Sequence, residues 1–305
     1  MEYRQLGANG PQIPVIMFGA WPIGGGMGHV DEATAIATIR RALELGITAI
    51  DTAEYYRGSE ALIGRALAGW PREKVFIATK VSYGPYTRTL IRQALDNSLR
   101  ALRTDYVDLY QLHSYPQDIA LEEAIAGLAE AHESGKARYV GVSNFTRDQL
   151  AAARALYPIQ SVQNRFNIFD SEAARDVLPF CQIEGIGFLA HSPLAKGLLT
   201  GKYRPGHVFP PDDERSRHPW FQGETFARYV AVVDELARLA REKGITLTQL
   251  AIAWVLAHPG VTSCIVGAKT PEQVEEHVGA IGVRLTSDDL NRIAALAARA
   301  TALSR

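Results

Sequence analysis

Four residues of this chain, Asp51, Tyr56, Lys80 and His113, have the side-chain types needed for controlled proton transfer. A tyrosine, with a reference pKa near ~10, is a poor acid at neutral pH unless nearby positive charge favours its phenolate. Lys80 can supply that charge, Asp51 can hold the lysine ionised and oriented, and His113 can hydrogen-bond a substrate carbonyl and position it. None of the four is a strong nucleophile. The set therefore suits carbonyl polarisation with proton delivery, and the electrons must come from a cofactor. Taken singly, each residue has a plainer reading as a cap, a rim lysine, a satisfied loop histidine or packing. Brought together at adjacent strand ends, they form a tuned proton donor.

That convergence requires parallel strands, and the chain is patterned for them. Short β-rich apolar runs alternate with longer amphipathic segments, as expected of strands joined by crossover helices. Eight strands are expected, at Val15 to Phe18, Ala49 to Asp51, Val75 to Lys80, Val107 to Gln111, Tyr139 to Val142, Ile159 to Gln163, Ile186 to Ala190 and Ser263 to Val266. Helices are expected over Asp31 to Leu45, Thr87 to Leu102, Leu121 to Glu133, Arg147 to Leu156, Ala174 to Glu184, Phe226 to Lys243 and Thr248 to Ala257. Steps between strand-end landmarks from Asp51 to Ala190 run 29, 33, 29, 21 and 27 residues, and about 30 residues is one βα unit. The step from Ala190 to Val266 is 76 residues and holds a Pro- and charge-rich loop over Arg204 to Gln222. Loops of that length in compact domains tend to be functional or mobile.

The expected architecture is α/β, a single (β/α)8 TIM barrel occupying residues 1–305 as one domain. It carries an N-terminal β-hairpin turning at Leu6-Gly7-Ala8-Asn9-Gly10, placed as a plug on the barrel floor, and an extended loop between strands 7 and 8. Neighbouring strands lie about 5 Å apart, so the ends bearing Asp51, Lys80 and His113 can converge, with Tyr56 folding back over the mouth.

A net charge of −1 over 305 residues argues against nucleic-acid or membrane-surface partners. Two distant cysteines, Cys181 and Cys264, give no disulfide framework or metal-ligand spacing. The opening Met1-Glu2-Tyr3-Arg4 has no apolar signal core, and no uncharged apolar stretch approaches the ~20 residues of a bilayer span. A soluble, cytoplasmic protein acting on small molecules is expected. Oligomeric state has no signature here. Three nucleotide or hydrolase motifs fail on inspection. Gly24-Gly25-Gly26-Met27-Gly28 fits no G-x-G-x-x-G frame, Gly201-Lys202 lacks the rest of a P-loop, and Gly141-Val142-Ser143-Asn144-Phe145 ends in Phe where a nucleophile elbow needs Gly.

At these residues the sequence resembles the aldo-keto reductase family, over essentially the whole chain. The resemblance is carried by Ile50-Asp51-Thr52-Ala53-Glu54-Tyr55-Tyr56 with Ser59-Glu60, by Ala78-Thr79-Lys80 and by Tyr110-Gln111-Leu112-His113. It implies Tyr56 as general acid, Asp51 and Lys80 as its tuning pair and His113 as the carbonyl-orienting group. It also implies an NADP(H) cofactor, with NAD(H) as the alternative, and cofactor contacts for Ala20, Trp21 and Asp51 at the strand ends. Ser143, Asn144 and Gln163 match positions that hold the nicotinamide carboxamide. His191, Ser192, Pro193, Leu194, Lys196, Gly197, Leu198 and Lys202 belong to a segment similar to the loop over the pyrophosphate. Gly267, Lys269, Gln273, Glu276 and His277 belong to one that grips the adenosine end, Lys269 and Gln273 beside a 2′-phosphate, with a helix N-terminus after Pro271. His191 stands where the family often has a stacking tyrosine, and Glu276-His277 where it usually shows Glu-Asn.

The resemblance implies reversible reduction of aldehydes or ketones by direct hydride transfer. Trp21, Tyr56, Tyr83, His113 and Trp220 are the expected substrate walls, with Tyr115, Phe145 and Phe221 as further aromatic candidates. The cluster Arg215, Arg217 and His218 is expected to be a solvated basic stretch of the loop, with tolerance of anionic substrates as its other reading. Two other functions use the same residues: a nicotinamide-binding regulatory subunit of the kind that accompanies some ion channels, and a nicotinamide-independent lyase or isomerase with Lys80 as a Schiff-base amine. The first would bind NADPH with feeble turnover; the second leaves the Ser143, Gln163 and Lys269 segments unexplained.

Overall fold

The computed structural model describes residues 1–301. Two short strands, β1 (Tyr3–Gln5) and β2 (Gln12–Pro14), form the expected antiparallel hairpin. Eight parallel strands then close a barrel: β3 (Ile16–Gly19), β4 (Ala49–Asp51), β5 (Phe76–Val81), β6 (Val107–Leu112), β7 (Ala137–Ser143), β8 (Ser161–Arg165), β9 (Gly187–His191) and β10 (Val261–Gly267), with β10 pairing back onto β3. Every expected strand is present within two residues of its reading at the C-terminal end, the end that matters for a site.

The hairpin is a floor plug. Leu6 and Ile13 are fully buried and pack with Met17, Ala49, Ala78, Leu109, Leu189 and Ile265, which point into the barrel. Each such aliphatic side chain contributes ~1.5–3 kcal/mol of transfer free energy when taken out of water. The floor is thus apolar, and the polar interior residues collect one layer higher. Lys80 pairs in register with Gln111, Gln111 with Gly141, and Gly141 with Ser161. Gly141 is small because a Cβ there would lie 2.7 Å from Ser161 Oγ.

The helices form the outer layer, and their ends explain where the strands start. Helix α1 (Glu32–Glu44) is capped by Asp31, whose side chain accepts from Thr34 N–H. Helices α3 (Arg88–Leu102), α4 (Leu121–Glu133) and α5 (Arg147–Leu156) fall at or within one residue of expectation, α5 carrying a Thr146/Gln149 capping box. The reading missed α2 (Ser59–Ala66). Its N-cap is Gly58 in the left-handed conformation with no side-chain cap bond, so the usual start signal is absent. Helix α6 (Val177–Glu184) is shorter than expected because Glu172–Ala174 forms a separate 3-10 turn. Helices α7 (Gly223–Glu242), α8 (Leu247–Leu256), α9 (Pro271–Val278) and α10 (Ser287–Thr301) complete the ring.

The long β9-to-α7 connection has a core of its own. Tyr203, Phe209 and Phe221 are buried and meet at 5.0 to 6.1 Å between ring centroids, and the Arg215 guanidinium stacks over Tyr203 and Phe209. Arg215 is tied to Asp213 through two bonds, Nη2 to Oδ2 at 2.6 Å and Nε to Oδ1 at 2.9 Å, and donates to Tyr203 Oη at 2.6 Å. The expected solvated basic cluster is therefore corrected. Arg215 is a buried organising residue of the loop, and only Arg217 of that set is exposed.

Candidate active site

Parallel pairing brings the four proton-handling residues together at the barrel mouth. Asp51 closes β4, Lys80 is the penultimate residue of β5, and His113 follows β6 with its N–H on Val81 O. Lys80 is wholly buried and its Nζ donates to Asp51 Oδ2 at 2.7 Å and Thr52 O at 2.8 Å, with Tyr56 Oη 3.4 Å away. The other Asp51 oxygen accepts from Gln163 Nε2 at 2.7 Å. Tyr56 is set by a turn after β4, its N–H bonded to Ala53 O, and its ring stands edge-on to His113 at 5.7 Å and to Trp21 at 5.0 Å. His113 Nδ1 lies 2.6 Å from Ser82 Oγ. Thr52 Oγ1 and Ser59 Oγ meet at 2.6 Å, and Glu60 accepts from Thr79 Oγ1, so the start of α2 anchors the turn that carries Tyr56.

Burial dominates the electrostatics, with different results for each group. For Lys80, burial pulls the pKa down, but the Asp51 charge, assisted by Tyr56, outweighs it and holds the ammonium above its ordinary value. For Tyr56 the expectation of a lowered pKa is corrected. Burial pushes the phenol up, and the opposing pull of Lys80 is not enough to bring it below 10. His113 is driven down to about 3 by burial and then by Lys80, so its imidazole is neutral at all ordinary pH values. His191 also falls to about 3, through burial and then Arg165.

The cluster opens into a cavity of about 790 Å³ that runs over the β-strand ends. From the Tyr56 side its walls include Trp21, Asp51, His113, Ser143, Asn144, Gln163 and His191; from there it passes Ser192, Pro193, Leu194, Lys196 and Gly197 to Lys202, Gly267, Lys269, Gln273, Glu276 and His277. Backbone of the 192–201 stretch is unusual: Ser192, Ala195 and Lys196 are non-glycine residues with φ of 58, 48 and 56, and Gly197 follows at 91. Such left-handed residues cost energy and gather where the backbone is shaped for a ligand.

A profile described as the Aldo/keto reductase family matches residues 15–298. The chain belongs to the aldo/keto reductase family. It is 37% identical over 302 residues to the aldo-keto reductase YhdN of Bacillus subtilis, covering 95% of this chain and 91% of that protein. It is 31% identical over 315 residues to the NADH-specific methylglyoxal reductase of Escherichia coli, covering 95% and 96%. Among solved structures, the glycerol dehydrogenase AKR11B4 of Gluconobacter oxydans superposes with a TM-score of 0.88 at 33% identity, covering 97% of this chain and 95% of that one.

The cleft of this aldo/keto reductase has the donor set that a nicotinamide dinucleotide needs. Lys269 has its pKa lowered by burial and then by the nearby Arg215 charge, which Asp213 partly offsets, and Lys202 lowers it further, so Lys269 and Lys202 stand close to the paired Arg215. A 2′-phosphate would relieve that crowding. Lys269 Nζ also donates to Met27 O, and Gln273 Oε1 accepts from Lys269 N–H at 2.8 Å. The amide and hydroxyl groups at the Tyr56 end are knitted to each other. Ser143 Oγ donates to Gln163 O at 2.9 Å, and Asn144 Nδ2 donates to His113 O at 2.9 Å while its Oδ1 lies 3.1 Å from His191 Nε2. Asn144 thus fixes both histidines. His277 is buried, with its pKa pushed down to about 4 by that burial.

Several expected positions are corrected. Trp220 does not line the cavity; its ring packs at 5.5 Å from Tyr229 and 5.2 Å from His218, inside the loop's own core. Tyr83 is 59% exposed and reaches the mouth only through Tyr55, 5.9 Å away. Phe145 is buried against Tyr115. Leu198 and Ala20 are buried behind the wall, Ala20 through its N–H bond to Asp51 O. Lys196 does not stand free for a pyrophosphate: its Nζ pairs with Glu214 Oε2 at 2.7 Å. Glu214, which the sequence reading did not single out, accepts from Trp21 Nε1 at 2.9 Å with its other oxygen. It joins the two walls of the cleft across the chain, and no local sequence signal marks it. A Schiff-base role for Lys80 is also overturned, because a buried, triply hydrogen-bonded ammonium is neither nucleophilic nor accessible.

Proposed function

We propose that the chain reduces small aldehydes or ketones to alcohols, reversibly, with NADP(H), and that Tyr56 delivers the proton. The observation that carries this is the buried chain Asp51–Lys80–Tyr56, with 2.7 and 3.4 Å between the participating atoms, at the base of a cavity of about 790 Å³. When bound, the dinucleotide supplies the hydride that goes to the carbonyl carbon. The chain's own residues do the rest. With the Ser82 hydroxyl donating to Nδ1, neutral His113 keeps its proton on Nε2 and can donate to the substrate oxygen. Tyr56, protonated at neutral pH, gives its proton to the same oxygen as charge develops there, and Lys80 stabilises the phenolate left behind. Asp51 and Gln163 keep Lys80 in place.

The Lys202, Arg215 and Lys269 cluster favours NADP(H) over NAD(H), and NAD(H) remains the second dinucleotide because a relative is NADH-specific. Residues 1–305 act as one catalytic domain without a nucleic-acid partner. The buried free thiols of Cys181, raised to about 12 by burial, and Cys264 suit the reducing cytoplasm as its setting. The test is Tyr56→Phe, followed by NADPH absorbance with benzaldehyde and short aldehydes. Turnover should fall at least ~100-fold with NADPH affinity unchanged. Retained turnover would move the proton donor elsewhere, and binding of NADPH without turnover in the unmodified chain would favour the regulatory subunit.

A further inference from the structure

We propose that the substrate is an anionic carbonyl compound, an aldehyde or ketone carrying a carboxylate or phosphate a few bonds from the reacting carbon. This rests on the reductase reading above. Three arginines, Arg57, Arg165 and Arg217, line the cavity. Arg57 directly follows the proton donor. Arg165 ends β8 in register with His191, and its charge reaches that ring. Arg217 closes the 3-10 turn Glu214–Arg217, whose first residue is bonded to Trp21.

The acids of the cavity do not neutralise these arginines. Asp51 is taken by Lys80 and Gln163, Asp213 by Arg215, and Glu214 by Lys196 and Trp21. Asp212 and Glu276 also line the cavity, and among the described residues neither is ion-paired with any of the three arginines. Among the described residues, Arg57 and Arg217 have no ion pair or side-chain hydrogen bond, and Arg165 has one long contact, 3.5 Å, to Asp170. Arg57 and Arg217 therefore leave the cavity with two uncompensated positive charges, and Arg165 adds a third that is only loosely paired.

Guanidinium groups suit carboxylates and phosphates because their planar fork can donate two parallel hydrogen bonds. A single exposed arginine does little for affinity in water. Several of one sign, set around a cleft with low-dielectric walls, focus field lines and raise both the local concentration and the capture of an anion. Here the walls are the stacked Trp21 and Tyr55 rings, 5.8 Å apart, with Tyr56 beneath. A substrate whose carbonyl lies at Tyr56 and His113 would present its far end to the arginines.

The experiment compares matched pairs on the full chain with saturating NADPH: 4-carboxybenzaldehyde against benzaldehyde, and succinic semialdehyde against butanal. The anionic member of each pair should have a kcat/KM higher by about tenfold or more, falling steeply with added salt. Arg57→Gln, Arg165→Gln and Arg217→Gln should each lower that ratio by about threefold, and the triple variant should bring it near unity. Arg92→Gln, the same charge change on the outer face of α3, should leave the ratio unchanged. A ratio at or below one overturns the anionic reading while leaving the reductase intact. So does a rise in the KM for NADPH with an unchanged ratio, because the arginines would then serve the dinucleotide. No turnover with any of the four aldehydes overturns the reductase reading and this one with it.

Discussion

Asp51→Asn is the substitution on which the electrostatic account of the site depends most directly. Asp51 Oδ2 sits 2.7 Å from Lys80 Nζ with both side chains buried. At that separation the attraction is about 6 kcal/mol for an effective dielectric near 20. Part of it only offsets the cost of desolvating the lysine. The asparagine carbonyl can still accept a hydrogen bond, so the loss is set by the uncompensated buried ammonium, about 3–5 kcal/mol at neutral pH. For a chain of this size that corresponds to a melting temperature lower by about 5–10 °C.

The pH dependence is the sharper test. In the unmodified protein Lys80 is held above its ordinary pKa, so the stability it gains from Asp51 is fully present below about 10.4 and is lost as pH rises through the raised folded value. In the Asn variant only burial acts strongly on Lys80, and burial lowers its pKa. Its folded value then lies below the unfolded one, and the penalty shrinks as pH rises and the lysine becomes neutral. Thermal melts of the two proteins from pH 6 to pH 9.5 should therefore converge with rising pH, while carbonyl reduction by the variant falls about 10- to 100-fold at pH 7. A melting difference that is constant with pH, or absent, would refute the claim that Lys80 is charged because Asp51 holds it so.

Three other measurements test separate parts of the structure. Lys269→Ala should raise the KM for NADPH about tenfold and change that for NADH little, because the residue belongs to the cation cluster and not to the nicotinamide end; equal changes for both nucleotides would remove the 2′-phosphate assignment. His277, buried with a folded pKa of about 4 against an ordinary 6.5, binds fewer protons folded than unfolded between those values, so it destabilises the protein as pH falls through 6.5, by about 2 kcal/mol at pH 5. His277→Asn should accordingly lose less melting temperature between pH 8 and pH 5 than the parent, and an identical loss would show that the ring is not buried neutral. Gly141→Ala should cost about 1–3 kcal/mol in denaturant unfolding, since its Cβ would stand 2.7 Å from Ser161 Oγ and 2.9 Å from Ser161 O; an unchanged midpoint would mean that β8 yields freely.

The residues that were legible in the sequence are those tied to a strand end. Asp51, Lys80 and His113 could be placed because parallel strands repeat at a regular step and present their C-terminal ends to one mouth. The hairpin could be read from the turn signal Leu6-Gly7-Ala8-Asn9-Gly10 between short β-prone pieces. The long loop could not be read in the same way. Its aromatic residues Tyr203, Phe209, Trp220 and Phe221 follow no helix or strand period, so nothing in their spacing distinguishes a wall of the cavity from a private core. Trp220, expected on the wall, packs against Tyr229 instead. Glu214 stands 193 residues from the Trp21 it bonds, a separation that only the closed barrel makes short. Helix α2 escaped because a glycine begins it.

The same physical cause, removal from water, sets two of the three protonation states in which the site must begin a reduction and opposes the third. It raises the Tyr56 phenol, so the donor holds its proton at neutral pH; it depresses His113, so the ring can donate one hydrogen bond without becoming a competing acid. Applied to Lys80 alone it would pull the ammonium toward its neutral form, and there the fold adds a counter-ion, Asp51, held on its other oxygen by Gln163. Lys80 therefore does not need to lower the tyrosine in the resting site. It needs to remain charged next to an oxygen that becomes an anion only as the proton leaves, and a cation 3.4 Å away in a dry pocket favours that state far more than the neutral phenol. On this argument a neutral Lys80→Met should impair reduction through kcat with little change in NADPH affinity, and should do so although the resting tyrosine remains protonated in both proteins.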